Sequence, residues 1–131
     1  MHDFLHIAIL GSGSDGNAIV VSNGERALMI DAGFSCREIM SRLARLSLAE
    51  SYRKGTDYTA SAGVYERMLK DGQGSVEVLV KLAILYEHRL KRPEEALRLT
   101  RRAILLCEDE EQLEQLNRRY QRLTRKTERM E

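Results

Sequence analysis

Three glycines near the N-terminus have the spacing of a dinucleotide-binding loop. Gly11, Gly13 and Gly16 follow a predicted strand, and Asp31 ends another strand 20 residues after Gly11. In such a site the glycines let the backbone approach a pyrophosphate, which the first amides of the next helix then bind. Here the β-branched run over residues 18–22 predicts a strand in place of that helix. We therefore expect no nucleotide and no other cofactor.

The chain has few residues suited to metal binding or nucleophilic catalysis. None of its three histidines, His2, His6 and His88, has the spacing of a metal-ligand motif, and its two cysteines, Cys36 and Cys107, form no CxxC pair. A dinuclear hydrolytic centre needs about five His and Asp ligands to bind two ions and orient a hydroxide. We predict no metal site and no catalytic residue. Both cysteines are interpreted as reduced, buried thiols, with a disulfide as the alternative.

A row of arginines near the C-terminus has the chemistry to contact phosphate groups. Arg118, Arg122, Arg125 and Arg129 recur at helical spacing along one side of the last predicted helix. Glutamates in the same helix dilute this charge, and the net charge of the whole chain is only +1, so electrostatic attraction to nucleic acid is weak. We favour a solvated helix face and keep nucleic-acid association as an alternative.

Residues 1–34 have the pattern of a short antiparallel β segment. Asn23-Gly24 is a strong hairpin signal, because both residues tolerate a positive φ. The three apolar runs that predict strands cover residues 5–10, 18–22 and 26–30.

Residues 35–131 are helical by composition and by their start signals. Ser35 with Glu38 forms a capping box, and Pro93 suits the first position of a helix. Other predicted N-caps are Thr56 or Asp57, Ser75, and Asp109 with Gln112. The predicted helices cover residues 36–54, 57–70, 76–90, 93–106 and 110–130.

The helical part matches itself after a shift of 35 residues. Leu48 then falls on Ala83, Ser61 on Ala96 and Met68 on Ala103, whereas Tyr52 falls on Tyr86 with a shift of 34. We assign the one-residue difference to the loop between the two helices. A period of about 34 residues is typical of helix–turn–helix repeats.

The stretches over residues 48–69 and 82–105, "LAESYRKGTDYTASAGVYERML" and "LAILYEHRLKRPEEALRLTRRAIL", resemble two successive tetratricopeptide repeats. The second also resembles helical repeats appended to bacterial ribonuclease H-like proteins. The resemblance implies repeat one at about 36–70, repeat two at about 75–107 and a terminal helix at about 110–130. A helical bundle without repeat symmetry is the alternative.

The opening of the chain carries a second resemblance. The stretch "LHIAILGSGSDGNAIVVSNGERALMIDAGFSCREI" (5–39) is similar to the start of metallo-β-lactamase-fold hydrolases, with their SGSxGN loop and IDAG turn. In that family this opening is scaffold, which places Asp31 near a metal site whose HxHxDH motif the chain lacks. A natural fusion, a truncated reading frame and an engineered chimera are the alternatives for the origin of the chain.

Taken together, the patterns predict a mainly α fold with a short N-terminal antiparallel β segment, α+β overall. The expected function is a non-catalytic, bacterial protein–protein interaction or scaffolding module; the alternatives are a hydrolase remnant without its metal site and a nucleic-acid accessory module. A protein or peptide partner is expected, with a homodimer as an alternative. Candidate partner-binding residues on the first helix of each repeat are Tyr52, Lys81, Leu85 and His88. The chain lacks a signal-peptide pattern and a membrane-length apolar run, so we expect a cytoplasmic protein without a membrane partner.

Overall fold

A computed structural model of the chain describes residues 5–11, 18–30 and 35–130. It is mainly helical with a small N-terminal antiparallel sheet, which confirms the predicted fold class at this level. The strands are β1 (His6–Gly11), β2 (Ala18–Ser22) and β3 (Ala27–Ile30). The helices are α1 (Cys36–Lys54), α2 (Tyr58–Lys70), α3 (Val76–Ile84), α4 (Pro93–Leu106) and α5 (Glu110–Glu128), and α3 continues into a π-helical turn over Leu85–Arg89.

The sheet is a meander in the order β1-β2-β3. The predicted hairpin joins β2 to β3, but its geometry differs from the expected turn with two positive φ values. Gly24 has a φ of +93°, whereas Asn23 acts through its side chain, since Oδ1 accepts from the amides of Glu25 and Arg26 at 3.1 and 2.8 Å. The loop therefore spans four residues between the strands.

The predicted capping residues set the helix starts. The side chains of Ser35, Asp57 and Ser75 accept hydrogen bonds from amides three residues further on, at 3.0 to 3.2 Å. Asp109 does the same for Gln112 at 2.7 Å, and Pro93 occupies the first position of α4. These contacts satisfy donors that the first turn of a helix leaves without partners.

The helices pack as two hairpins, α1 with α2 and α3 with α4, and α5 packs on α4. The main core lies between the hairpins and includes Ala49, Tyr65, Leu82 and Ala83. Leu123 of α5 is fully buried in the same core, so the terminal helix is part of it. Burial of apolar surface by these elements is the main force holding the helical part together.

The loops of the two hairpins correspond in structure. Thr56 and Lys91 both have a positive φ, 64° and 56°. The amide of Asp57 donates to the carbonyl of Tyr52 at 2.9 Å, and the amide of Arg92 donates to that of Tyr86 at 2.7 Å. Both connections therefore close on a tyrosine carbonyl at the end of the preceding helix.

This correspondence corrects two details of the sequence alignment. Ala49 and Ala83 are both fully buried, whereas Leu48 is 46% exposed, so Ala49 is the structural partner of Ala83. The loops have equal length, and the extra residue lies in the π turn, where the amide of Leu90 donates to the carbonyl of Leu85 at 2.9 Å. A π turn holds one more residue than the α-helical turn it replaces.

The sheet sits on α1 through a small cluster of its own. Leu10, Ala18 and Val20 pack against Ile39. Arg42 is 5% exposed, and its Nη1 donates to the carbonyl of Leu10 at 2.7 Å. The first hairpin helix therefore also carries the sheet. Within the described residues, no helix is long and apolar enough to cross a membrane.

Candidate functional site

A cleft of about 380 Å³ opens between the two hairpins. Side chains from α1, α2, α3 and the π turn line it, so both hairpins are needed to form it. Among the described residues its lining is Glu50, Arg53, Tyr65, Lys81, Ile84 and Leu85. Its volume falls in the lower part of the range usual for ligand pockets, roughly 300–1,000 Å³.

The inner part of the cleft is apolar. Tyr65 and Leu85 are 1% and 3% exposed and belong to the main core, whereas Ile84 is 38% exposed. Burial raises the pKa of the Tyr65 hydroxyl, because the low-dielectric surroundings disfavour the phenolate. The cleft thus exposes the apolar side chain of Ile84 beside the buried Tyr65 and Leu85.

Two ion pairs form the polar edge of the cleft. Arg53 Nε donates to Glu50 Oε2 at 2.9 Å, and this hydrogen bond lowers the pKa of Glu50. Lys81 Nζ lies 3.0 Å from Glu77 Oε1. Burial opposes the charge of Lys81, but the hydrogen bond and charge of Glu77 outweigh it and raise the pKa of Lys81. Glu50, Arg53 and Lys81 are therefore charged at neutral pH.

The structure brings two of the four predicted partner-binding residues to this cleft. Lys81 and Leu85 line it, whereas Tyr52 and His88 lie outside its lining. Tyr52 is 37% exposed on α1. His88 is exposed, and its Nε2 lies 3.4 Å from Glu87 Oε2.

Four lining residues were missed by the sequence analysis: Glu50, Arg53, Tyr65 and Ile84. Two of them are sequence neighbours of predicted residues: Arg53 follows Tyr52, and Ile84 precedes Leu85. Tyr65 lies on a second helix of a hairpin. The choice of first-helix residues alone therefore excluded it.

A buried carboxylate joins the π turn to the terminal helix. Glu87 is 3% exposed, and its Oε2 accepts from Arg119 Nη1 at 3.1 Å and from Arg122 Nη2 at 2.8 Å. Burial lowers the pKa of Arg119, which the charge of Glu87 partly offsets. The sequence signal for this contact was a charged residue inside a helix that is otherwise apolar on most sides.

The predicted arginine row divides in the structure. Arg118 pairs with Glu114, and Arg122 pairs with Glu87. Arg122, Arg125 and Arg129 nevertheless share a groove of about 520 Å³ with Lys126 and Met130. The lysine extends the basic surface that was predicted from the arginines alone.

The remaining predictions concern the two cysteines, the glycine loop and Asp31. Cys107 is a free thiol, but it is half-buried, and its Sγ donates to the carbonyl of Asp109 at 3.4 Å. The expectation of a buried Cys107 was therefore wrong, because helix α4 ends at Leu106 and leaves the thiol in the connection to α5. The side chain of Cys36, the loop carrying Gly13 and Gly16, and Asp31 lie outside the described residues.

Within residues 5–11, 18–30 and 35–130, no three His, Cys, Asp or Glu side chains are grouped so that they could hold a metal ion. Comparison with known proteins found no match among protein-family models, curated proteins or solved structures.

Proposed function

We propose that the chain is a non-catalytic interaction module of tetratricopeptide type, and that the cleft between its hairpins holds a side chain of a peptide or partner protein. The single observation that carries this proposal is the cleft itself. It combines the apolar side chains of Ile84 and Leu85 with the charged groups of Arg53 and Lys81. Apolar pockets with a few convergent polar groups are typical of binding sites.

The repeat assignment is supported by the matched features of the two hairpins. Ala49 and Ala83 occupy equivalent buried positions, and Thr56 and Lys91 share the same left-handed backbone conformation. Small residues let two helices approach closely, so their recurrence favours the same helix crossing in both hairpins. Two hairpins are fewer than a repeat array usually needs, and α5 supplies part of the missing packing through Leu116 and Leu123.

The expected ligand is a short segment with an aliphatic or aromatic anchor. The anchor would contact Ile84 and Leu85, and carboxylate or carbonyl groups beside it would accept hydrogen bonds from Lys81 and Arg53. Both cations already have carboxylate partners. Their hydrogen bonds to the ligand would therefore contribute to its orientation and to specificity more than to attraction through net charge.

Selection from a random peptide library displayed on phage tests this proposal. Enriched peptides are synthesised, and their affinity is measured by fluorescence polarisation. We expect Ile84→Lys to weaken binding at least tenfold, because it places a charge in the apolar part of the cleft. Leu105→Lys makes the same change at a side chain that is 79% exposed on α4, and we expect it to leave the affinity unchanged.

Two results would count against the proposal. One is a selection that enriches no peptide over the unselected library. The other is a set of peptides whose affinity is the same for the unmodified chain and for Ile84→Lys. Circular dichroism of each variant confirms that a loss of binding is not a loss of fold.

A second candidate function is contact with nucleic-acid phosphates, which the groove at Arg122, Arg125, Lys126 and Arg129 favours. Binding of a single-stranded RNA oligonucleotide, measured by anisotropy over a range of salt concentrations, tests it. If this function holds, affinity falls steeply with salt, and Arg125→Glu weakens binding more than Arg101→Glu on α4. Absence of binding at low salt rules it out.

A further inference from the structure

The hydroxyl of Tyr65 is a polar group without a protein partner in the wall of the cleft. Tyr65 is 1% exposed, and within the part of the chain that the structure describes its hydroxyl forms no hydrogen bond. Among the described residues that are not exposed, Glu77 Oε2 alone lacks both a partner and contact with solvent, so the Tyr65 oxygen keeps some contact with solvent. Because Tyr65 lines the cleft, a ligand in the cleft can reach this hydroxyl.

The charged groups around Tyr65 do not supply the missing partner. Besides burial, which raises it, four charges act on the pKa of Tyr65: those of Lys81, Glu50, Glu77 and Arg53. These groups are paired with one another, Arg53 with Glu50 at 2.9 Å and Lys81 with Glu77 at 3.0 Å. A ligand that displaces water from the hydroxyl must therefore replace its hydrogen bond or leave it unsatisfied at a cost in affinity.

The ligand group that contacts this hydroxyl must be polar but carried on an apolar body. Ile84 and Leu85, which line the cleft with Tyr65, are aliphatic and favour contact with carbon atoms. The same burial that raises the pKa of Tyr65 disfavours a charged tip. Serine and asparagine side chains are polar but bring little apolar surface. Tyrosine meets both conditions, since its hydroxyl lies at the far end of an apolar ring, whereas tryptophan carries its N–H on the ring attached to Cβ.

We propose that the cleft accepts a tyrosine side chain of the partner, whose hydroxyl forms a hydrogen bond with that of Tyr65 while its ring packs on Ile84 and Leu85. Such an anchor narrows the aliphatic or aromatic one of the proposed function, on which it rests, to a single side chain. Each hydroxyl can donate and accept, so the pair is compatible in either direction. A site of this kind discriminates against an analogue without the hydroxyl, because its own polar group is then left unpaired.

Titration of the isotope-labelled full chain with two capped amino acids, followed by NMR, tests the proposal. N-acetyl-L-tyrosinamide and N-acetyl-L-phenylalaninamide differ only in the hydroxyl. We expect the tyrosine compound to shift the amide signals of Ile84 and Leu85, with a dissociation constant at least about fivefold lower than that of the phenylalanine compound. Tyr65→Phe keeps the ring and should abolish this preference. Tyr120→Phe, half-buried on α5 and outside the lining of the cleft, is the matched control and should retain it.

Three results would overturn the proposal. Equal affinities of the two compounds for the unmodified chain do so but leave the proposed function intact, since that function needs only an apolar anchor. A preference that persists in Tyr65→Phe does so because the ligand hydroxyl must then have another partner. The third is an absence of shifts at Ile84 and Leu85 with the tyrosine compound when a peptide from the phage selection does shift them. Failure of the proposed function is recognised separately, by a selection that yields no peptide dependent on Ile84.

Discussion

Individual side chains hold the terminal helix and shape the cleft. Glu87 and Tyr65 are almost fully buried, and each has a polar group in a low-dielectric position. Such groups are sensitive to small chemical changes, because a buried polar atom that loses its partner keeps the cost of leaving water. Two substitutions that preserve shape separate their contributions.

Glu87→Gln keeps the size of the side chain but removes the charge that Arg119 and Arg122 bind. We expect the free energy of unfolding to fall by about 1–3 kcal/mol, the usual range for a hydrogen bond to a charged group in a buried site. Urea unfolding followed by circular dichroism measures the change. Glu66→Gln, at an exposed position of α2, is the control and should change stability by less than about 0.5 kcal/mol. Equal stabilities of the two variants would show that the Glu87 contacts contribute little.

The pKa shifts in the cleft predict a loss of stability in alkali. Burial raises the pKa of Tyr65 above the usual 10.0, so the folded chain favours the neutral phenol. That contribution is complete below the pKa of the unfolded chain and is lost as the pH rises through the pKa of the folded one. The raised pKa of Lys81 acts in the same direction above its usual 10.5.

We therefore expect urea midpoints to fall as the pH rises above about 10, and to fall less for Tyr65→Phe than for the unmodified chain. Tyr52→Phe, at an exposed side chain, should retain the full pH dependence. The interpretation fails if all three proteins show the same alkaline slope.

The elements were more predictable than their contacts. Local signals sufficed for the helix starts, since Ser35, Asp57, Ser75 and Asp109 satisfy amides within their own first turns. The strand over Ala18–Ser22 and the helix over Cys36–Lys54 match the predicted bounds. Within α3, however, the sequence gives no breaker where the α-helix changes to a π turn. A π turn closes through backbone amides and carbonyls, here those of Leu90 and Leu85, so residue type does not distinguish it from an α-helical turn.

The π turn leads to a prediction about insertions and deletions. The first hairpin enters a loop of the same length from a regular helix, without the extra residue of the π turn. Removal of His88 should therefore let α3 continue as a regular helix into an unchanged loop. We expect this deletion to retain the fold and to cost less than about 2 kcal/mol. Thermal and urea unfolding measure the effect.

Removal of Leu82, which is 1% exposed, is the matched control. It rotates the residues that follow by about 100° around the helix, which moves Ala83 and Tyr86 out of the core. We expect no cooperative unfolding transition for this variant. Two equally damaging deletions would mean that the π turn is as constrained as the helix before it.

On the scale of the whole molecule, the sheet and the helices differ in the size of the buried apolar clusters to which they contribute. The sheet contributes Leu10, Ala18 and Val20 to a cluster with Ile39, whereas the helices share larger clusters on both sides of α3. The sequence predicted both parts from their separate periodicities. It could not show that α1 carries the sheet, because the contact of Arg42 with the Leu10 carbonyl links residues 32 positions apart.

This difference predicts an order of local opening. Hydrogen exchange under native conditions should give lower protection free energies for the amides of Ile19–Val21 than for those of Leu79–Ala83, because fewer buried contacts resist opening of the sheet. Mass spectrometry of peptides after timed exchange provides the comparison. Slower exchange in the sheet than in α3 would contradict this assignment of the main core.

Helix α1 connects the sheet to the cleft. It contributes Glu50 and Arg53 to the lining of the cleft, and Ile39 to the cluster on which the sheet packs. If opening of the sheet loosens α1, it weakens the binding of a peptide in the cleft. Thermodynamic linkage makes the effect reciprocal: the factor by which opening of the sheet weakens peptide binding equals the factor by which a bound peptide stabilises the sheet against opening.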